Sequence, residues 1–136
     1  MKTTLITGGL GFIGSNICDS LLQKKYTNKC VLLDNFGGYM NPIKDSFIDF
    51  RKQRFPSLKN IIIERCDTSN YKALSSIISK YKPNYIYHTA ALPLAKVSNL
   101  NNEEAKISSV DSTVNIIDAI NLLKNSNQKY QFDRFV

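Results

Sequence analysis

The chain has 136 residues, of which 43% are hydrophobic and 21% charged, enough for one domain with a proper core and too few for two. It shows neither the roughly 20-residue apolar run of a membrane span nor the pattern of a signal peptide, so we expect a cytoplasmic protein without membrane contact. The net charge of +7 is spread along the chain, which favours a solvated basic surface over a nucleic-acid-binding protein.

Short apolar runs alternate with segments of helical periodicity along the whole chain. The runs are rich in β-branched and aromatic residues, as is typical of buried strands. The predicted strands are residues 2–7, 29–34, 60–64, 84–88 and 132–136. The predicted helices, whose apolar residues recur three and four positions apart, are residues 12–25, about 42–54, 70–80 and about 101–124.

The last predicted helix carries one continuous apolar stripe, which predicts a face packed on a sheet. The stripe consists of Ile107, Val110, Val114, Ile117 and Ile120. The alternation of strands and helices predicts an α/β fold, a doubly wound parallel sheet of Rossmann type with five strands ordered 3-2-1-4-5 and helices on both faces. A ligand crevice is expected at the carboxyl ends of strands 1 and 4, where the strand order reverses.

Three glycines, Gly8, Gly11 and Gly14, follow the first predicted strand and open the first predicted helix. The first permits a tight turn, the second lets a pyrophosphate approach the backbone, and the third lets helix and strand pack closely. Free amides at the start of the helix then face the phosphates. The spacing therefore predicts a dinucleotide site.

A carboxylate ends the second predicted strand, because Asp34 stands twenty residues after Gly14 (34 − 14). At that place a carboxylate accepts hydrogen bonds from the adenosine ribose, and its charge repels a 2′-phosphate. This predicts NAD rather than NADP as the cofactor. The alternative is a glycine turn followed by an unrelated aspartate at a strand end.

One histidine and three cysteines are the other candidates for chemistry. No carboxylate adjoins His88 in the sequence to orient it as a general base, so we expect a packed, hydrogen-bonded histidine. Cys18, Cys30 and Cys66 are odd in number and lack C-x-x-C spacing, which favours free thiols and indicates neither a disulfide framework nor a metal site.

Four motifs, TGGLGFIG, LLDNF, CDTSN and HTAA, occur in that order. Together they resemble the extended short-chain dehydrogenase/reductase family, and within it the NAD-dependent nucleotide-sugar epimerases and dehydratases. The G-x-x-G-x-x-G spacing is that family's variant of the dinucleotide fingerprint, and the resemblance covers the whole chain. It implies NAD as the cofactor and a nucleotide sugar, of the UDP-hexose type, as the substrate of the full-length protein.

The resemblance also implies which residues contact NAD. The pyrophosphate loop matches Gly8, Gly11, Phe12, Ile13 and Gly14. The remaining matches are Asp34 at the ribose, Asn35 beside the adenosine, Asp67 at the adenine amino group with Thr68 next to it, and Ala90 and Ala91 beneath the cofactor. For Asp67, a helix N-cap is a competing role.

The chain departs from the family pattern in its last helix. Ser98 still matches a serine of many relatives, but the family's tyrosine reads Ala105, and its N-V-x-G-T segment reads SVDST, residues 109–113. Ser109 thus replaces an asparagine, and the proton-relay role of that asparagine is not expected here. Members of the family often dimerise through helices that include this one, so the resemblance also implies a homodimer.

The catalytic residues of the family are a serine or threonine and a tyrosine with a lysine four positions later. None of the seven tyrosines has a lysine at that spacing. We therefore predict that residues 1–136 form a single NAD-binding domain without catalytic residues, which is inactive alone and is either the cofactor part of a longer protein or a natural short form that pairs with another chain. A non-catalytic dinucleotide-binding module, regulatory or a remnant, is the alternative.

Overall fold

The computed structural model describes residues 1–37, 52, 53, 55, 57–92 and 102–136. Its strands are β1 (Thr3–Thr7), β2 (Lys29–Asp34), β3 (Ile61–Arg65), β4 (Tyr85–His88) and β5 (Arg134–Phe135). They form one parallel sheet ordered β3-β2-β1-β4-β5. The predicted strand order is therefore confirmed, and the predicted bounds differ from the observed ones by at most two residues.

The helices follow the strands as the periodicity predicts. They are α1 (Phe12–Gln23), α2 (Tyr71–Tyr81), α3 (Asn102–Lys106) and α4 (Ser112–Ser126), with a π-helical turn (Ile107–Asp111) between the last two. The predicted helix at about 42–54 and Ser98 lie outside the described residues, apart from positions 52 and 53. No helix in the described part of the chain is long and apolar enough to span a membrane.

The sheet is covered on both faces, as expected for a doubly wound fold. Neighbouring residues of a strand point to opposite faces, so Leu5 of β1 packs with α2 and α4 while Ile6 packs with α1. Both side chains are fully buried. This two-sided burial is why β1 and β2 read as continuous apolar runs instead of alternating ones.

The three cysteines are free and buried, in agreement with the prediction. Cys18 of α1 and Cys30 of β2 belong to the core cluster on the α1 side of the sheet. A hydrogen bond with Cys30, together with burial, raises the pKa of the Cys18 thiol far above its ordinary value. Both thiols therefore behave as small apolar side chains.

The prediction that the apolar stripe of the last helix packs on the sheet is wrong. Four of its five members are between 39% and 54% exposed, and only Ile120 is buried. The side chains that α4 buries are Ser112, Ile116, Ala119, Ile120 and Leu123. Both sets show helical spacing, so periodicity could not decide which of them faces the sheet, and the contact with α2 selects the second.

Candidate functional site

The turn between β1 and α1 has glycine at positions where a side chain would collide with backbone atoms. Gly8 has a φ of 63°, a conformation that strains other residues. A Cβ on Gly8 would lie 2.9 Å from the Ala90 amide nitrogen, and one on Gly14 would lie 2.4 Å from the Gly8 carbonyl oxygen. Gly8 thus permits the turn beside β4, and Gly14 lets α1 pack closely against that turn.

Gly11 is the N-cap residue of α1 and differs from the other two glycines. Its φ of −69° is ordinary, and a Cβ would meet the Gly8 carbonyl oxygen at 3.0 Å with no other described atom within 4 Å. The next two residues, Phe12 and Ile13, are 76% and 63% exposed. No side chain caps α1 and no acidic residue lies in its first turn, so the helix N-terminus presents a positive potential.

A fourth glycine of the turn, Gly9, has a role that the sequence reasoning missed. Its amide donates to the Leu33 carbonyl at 3.1 Å. A Cβ on Gly9 would lie 2.7 Å from the Cβ of Leu32 and 3.0 Å from the Ile6 carbonyl oxygen. Gly9 therefore lets the turn lie flat against β2, and the doubled glycine of the motif was the available signal.

Asp34 fastens the glycine turn to the end of β2. One carboxylate oxygen accepts the Leu10 amide at 3.1 Å, and the other accepts the Phe36 amide at 2.9 Å. Asp34 is only 8% exposed. The structure thus brings the carboxylate predicted for the ribose directly beside the turn predicted for the pyrophosphate.

The ends of β2 and β3 meet through side chains. The Asn35 amide donates to Asp67 at 3.1 Å, and the other Asp67 oxygen accepts the amide and the hydroxyl of Ser69 at 2.8 and 2.7 Å. Partial burial raises the pKa of the Asp67 carboxyl, but the bonds from Ser69 and Asn35 outweigh burial and leave that pKa below its ordinary value. The competing N-cap role is wrong, because Asn70 caps α2 by accepting the Ala73 amide.

The loop that follows β3 is also held from α4. The side-chain amide of Asn115 donates to the carbonyl oxygens of Thr68 and Ser69, both at 3.1 Å. Thr68 itself is 8% exposed. Sequence reasoning missed this role of Asn115, because its partners are backbone atoms 46 and 47 residues away.

At the end of β4, Ala90 lies beside the glycine turn and Ala91 is exposed. The His88 ring is half-buried, with Nδ1 2.7 Å from the Thr7 hydroxyl oxygen, and stacks on Phe135 with 6.2 Å between ring centroids. Burial lowers the pKa of His88. The prediction of a packed, hydrogen-bonded histidine is confirmed.

Every residue predicted to contact the cofactor therefore lies at the carboxyl ends of β1 to β4, at one edge of the sheet. Backbone without side chains, an uncapped helix N-terminus and a neighbouring carboxylate suit a diphosphate linked to a ribose. Among the described residues, no group of three or more His, Cys, Asp or Glu could hold a metal ion.

Comparison with known protein families gives one match that spans most of the chain. The family model described as GDP-mannose 4,6 dehydratase matches residues 5–133. A curated relative, the probable polysaccharide biosynthesis protein EpsC of Bacillus subtilis (strain 168), is 29% identical over 123 residues. That alignment covers 89% of this chain and 19% of the relative.

Solved structures of similar fold include UDP-glucose 4-epimerases. The UDP-glucose 4-epimerase of Thermus thermophilus, solved with NAD, has a TM-score of 0.67 at 23% identity. The alignment covers 89% of this chain and 34% of the epimerase chain. The UDP-glucose-4-epimerase of Stenotrophomonas maltophila, solved with NAD and formylated UDP-arabinopyranose, has a TM-score of 0.70 at 18% identity, with coverages of 90% and 34%. The chain thus shares their fold and spans about a third of their length.

Proposed function

The chain belongs to the GDP-mannose 4,6-dehydratase family of extended short-chain dehydrogenases/reductases, and from this premise we propose that it binds NAD as the cofactor domain of a nucleotide-sugar epimerase or dehydratase. The observation that carries the proposal is the buried Asp34 carboxylate, bonded to the Leu10 amide of the glycine turn. This contact joins a diphosphate cradle to a ribose acceptor. The NAD complexes of the similar epimerases support it.

The residues of this chain bind and orient the dinucleotide. The pyrophosphate would lie over Gly11, where the Gly8 carbonyl oxygen is the one described neighbour of a Cβ position, and against the N-terminus of α1. The ribose would lie at Asp34, whose charge disfavours a 2′-phosphate. The adenine would lie near Asn35 and Asp67, which already meet each other.

When bound, NAD supplies reversible hydride acceptance. In the full-length protein the substrate would be a nucleotide sugar, with a UDP-linked hexose as the expected type, and the reaction would begin by oxidation of a sugar hydroxyl. No tyrosine of the chain is followed by lysine four residues later, so the proton-removing residues of this chemistry are not among these 136 residues. The part played by this chain is therefore cofactor binding.

Calorimetric titration with NAD and NADP tests the proposal. We expect NAD to bind and NADP to bind more weakly. Asp34→Asn should weaken NAD and reduce the discrimination, because it removes the charge at nearly constant shape. Asp19→Asn, which removes the charge of a half-exposed carboxylate of α1 bonded to Gln23, is the matched control and should change neither affinity. No NAD binding by the wild-type protein would refute the proposal.

A second titration tests the placement of the pyrophosphate. Gly11→Val should abolish NAD binding, because its side chain would fill the space beside the turn. Circular dichroism of the same sample should show a folded protein. An unchanged affinity for NAD would refute this placement.

The catalytic part of the proposal has a separate test. With NAD and UDP-hexoses present, the purified 136-residue chain should form neither reduced cofactor, followed by absorbance, nor an epimerised sugar. Turnover of any of these sugars would show that the chain holds catalytic residues we have not identified.

We also propose that the protein is a cytoplasmic homodimer. The apolar face formed by Ile107, Val110, Val114 and Ile117 is exposed over the π-helical turn and the first half of α4, and pairing with a second copy would bury it. Sedimentation should give a dimer for the wild type and a monomer for Val114→Asp. A wild-type monomer at all concentrations would refute the dimer. The free, buried cysteines support a reducing compartment.

A further inference from the structure

Five polar groups form an unbroken line of hydrogen bonds from the backbone after β4, beside the glycine turn, to the π-helical turn. The His88 ring is in the middle, with Nδ1 2.7 Å from the Thr7 hydroxyl oxygen and Nε2 3.3 Å from the Ser112 hydroxyl oxygen. At one end the Ala90 amide nitrogen lies 3.2 Å from the Thr7 hydroxyl oxygen. At the other end the Ser112 hydroxyl lies 2.6 Å from the Ser108 carbonyl oxygen. The line connects β1, β4 and the helical segment.

The Ser108 carbonyl and the burial of the His88 ring determine where each hydrogen lies. The Ser108 carbonyl can only accept, so the Ser112 hydroxyl donates to it and its oxygen accepts from His88. The Thr7 oxygen accepts from the Ala90 amide and keeps a second lone pair, so this contact alone leaves the Thr7 hydrogen free to rotate. Because burial disfavours the charged ring and Nε2 carries the hydrogen donated to Ser112, Nδ1 is unprotonated and accepts from the Thr7 hydroxyl. With a neutral ring, all five groups are satisfied together only when Nε2 carries the proton.

The π-helical turn explains why a side chain is used at this point. The Ser112 amide donates to the Ile107 carbonyl, five residues back, and so passes over the Ser108 carbonyl that an α-helix would reach. The Ser112 hydroxyl reaches that carbonyl instead.

We propose that Ser112 is a positioning residue, which fixes the tautomer and orientation of the His88 ring and, through Thr7, the Ala90 backbone beside the glycine turn. Ser112 and Thr7 are both fully buried, so water does not substitute for a lost partner. The Ala90 nitrogen lies 2.9 Å from the place where a Gly8 Cβ would be. A small movement of Ala90 therefore changes the space of the dinucleotide site.

Nuclear magnetic resonance tests the first half of the proposal without any ligand. Because His88 is the only histidine, the ring gives one set of nitrogen signals in 15N-labelled protein. We expect a protonated Nε2 whose hydrogen exchanges slowly with water, and an unprotonated Nδ1. Ser112→Ala should leave the protein folded, remove the slow exchange and allow both tautomers. A wild-type ring protonated on Nδ1, or a ring signal unchanged in Ser112→Ala, would overturn the proposal.

Two further variants separate positioning from general stability. Thr113→Ala is the matched control, because the Thr113 hydroxyl also donates to the carbonyl four residues back, that of Ser109, and has no bond to His88. It should leave the ring signals unchanged. Thr7→Val should speed hydrogen exchange at the Ala90 amide, and Thr7→Ser, which restores the hydroxyl, should reverse that change. Equal effects of Thr7→Val and Thr7→Ser would overturn the role of the hydroxyl.

The effect on the site rests on the proposed NAD binding and is measured separately. Ser112→Ala should weaken NAD about fivefold, the factor that one neutral hydrogen bond corresponds to, and Thr113→Ala should not. An altered ring signal with unchanged NAD affinity would refute the effect on the site and leave the ring assignment standing. No NAD binding by the wild type would refute the proposed function, while the ring signals would still decide the role of Ser112.

Discussion

The two halves of the sheet's carboxyl edge are held by different kinds of contact. At β1 and β2, glycines allow backbone to lie against backbone: the Gly9 amide donates to the Leu33 carbonyl, and the Asp34 carboxylate adds one side-chain bond to the Leu10 amide. At β3 and β4, side chains span the gaps. Asn115 holds the loop after β3, and His88 links Thr7 to Ser112.

This difference separates two kinds of tolerance to mutation. Where backbone lies against backbone, adding one carbon atom forces the chain to move, since close-packed interiors do not yield. Where side chains span a gap, losing one of them removes one or two hydrogen bonds and leaves the backbone path available. A single substitution in the glycine half (the ends of β1 and β2) should therefore cause a large loss of stability. A single substitution in the side-chain half (the ends of β3 and β4) should cause a smaller loss.

The largest expected effect is that of Gly14→Ala. Helix propensity favours alanine by about 1 kcal/mol, but the new Cβ would lie 2.4 Å from the Gly8 carbonyl oxygen, and we expect a net loss of about 2–3 kcal/mol in the free energy of unfolding. Gly11→Ala is the matched control, because its Cβ would meet the same oxygen at 3.0 Å. It should cost less than about 1 kcal/mol. Urea unfolding measures both, and equal losses would break the comparison.

An intermediate effect is expected for Asn115→Ala. The variant removes the two bonds to the Thr68 and Ser69 carbonyl oxygens, which water can partly replace, so the free energy of unfolding should fall by about 1 kcal/mol. Asn121→Ala, at an exposed position of the same helix, should stay within about 0.5 kcal/mol of the wild type. A loss as large as that of Gly14→Ala would mean that the side-chain half is as rigid as the glycine half.

The smallest expected effect is the acid dependence that comes from Asp67. Its pKa is lowered in the folded protein, so its ionised form stabilises the fold at pH values above the ordinary pKa of 3.8, and this contribution is lost as the pH falls through the lower folded pKa. Because the carboxylate is largely exposed, the contribution should be below about 1 kcal/mol.

Unfolding measured against pH, for the wild type and for Asp67→Asn, detects this contribution. The stability difference between the two proteins should be constant near neutral pH and should shrink on acidification below about pH 4. A difference that grows on acidification would mean that the folded pKa lies above the ordinary one.

Local signals predicted the glycine half of the edge well. Gly8, Gly14 and Asp34 could be placed because a turn, a helix start and a strand end each depend on a few consecutive residues. Gly9 was missed although it stands in the same motif, because the residue that leaves no room for a side chain there is Leu32 on the neighbouring strand. Sequence spacing carries no information about that distance.

The last helix shows where local signals end. Ile107, Val110, Val114 and Ile117 form a proper apolar stripe, yet the sheet and α2 receive the stripe that includes Ile116. Two apolar stripes on one helix satisfy the same periodicity, and tertiary packing chooses between them. The role of Ser112 likewise depends on its contact with His88 of β4, which no spacing within the helix indicates.

The paired thiols of Cys18 and Cys30 make the attachment of α1 to β2 measurable. Because burial and their mutual bond hold Cys18 in its unreactive protonated form, an alkylating reagent can modify it only while the helix is lifted from the strand. The labelling rate thus reports how often α1 opens. A ligand seated at the N-terminus of that helix would slow the labelling, so the labelling rate of Cys18 in the middle of α1 would report whether the site at the start of the helix is occupied.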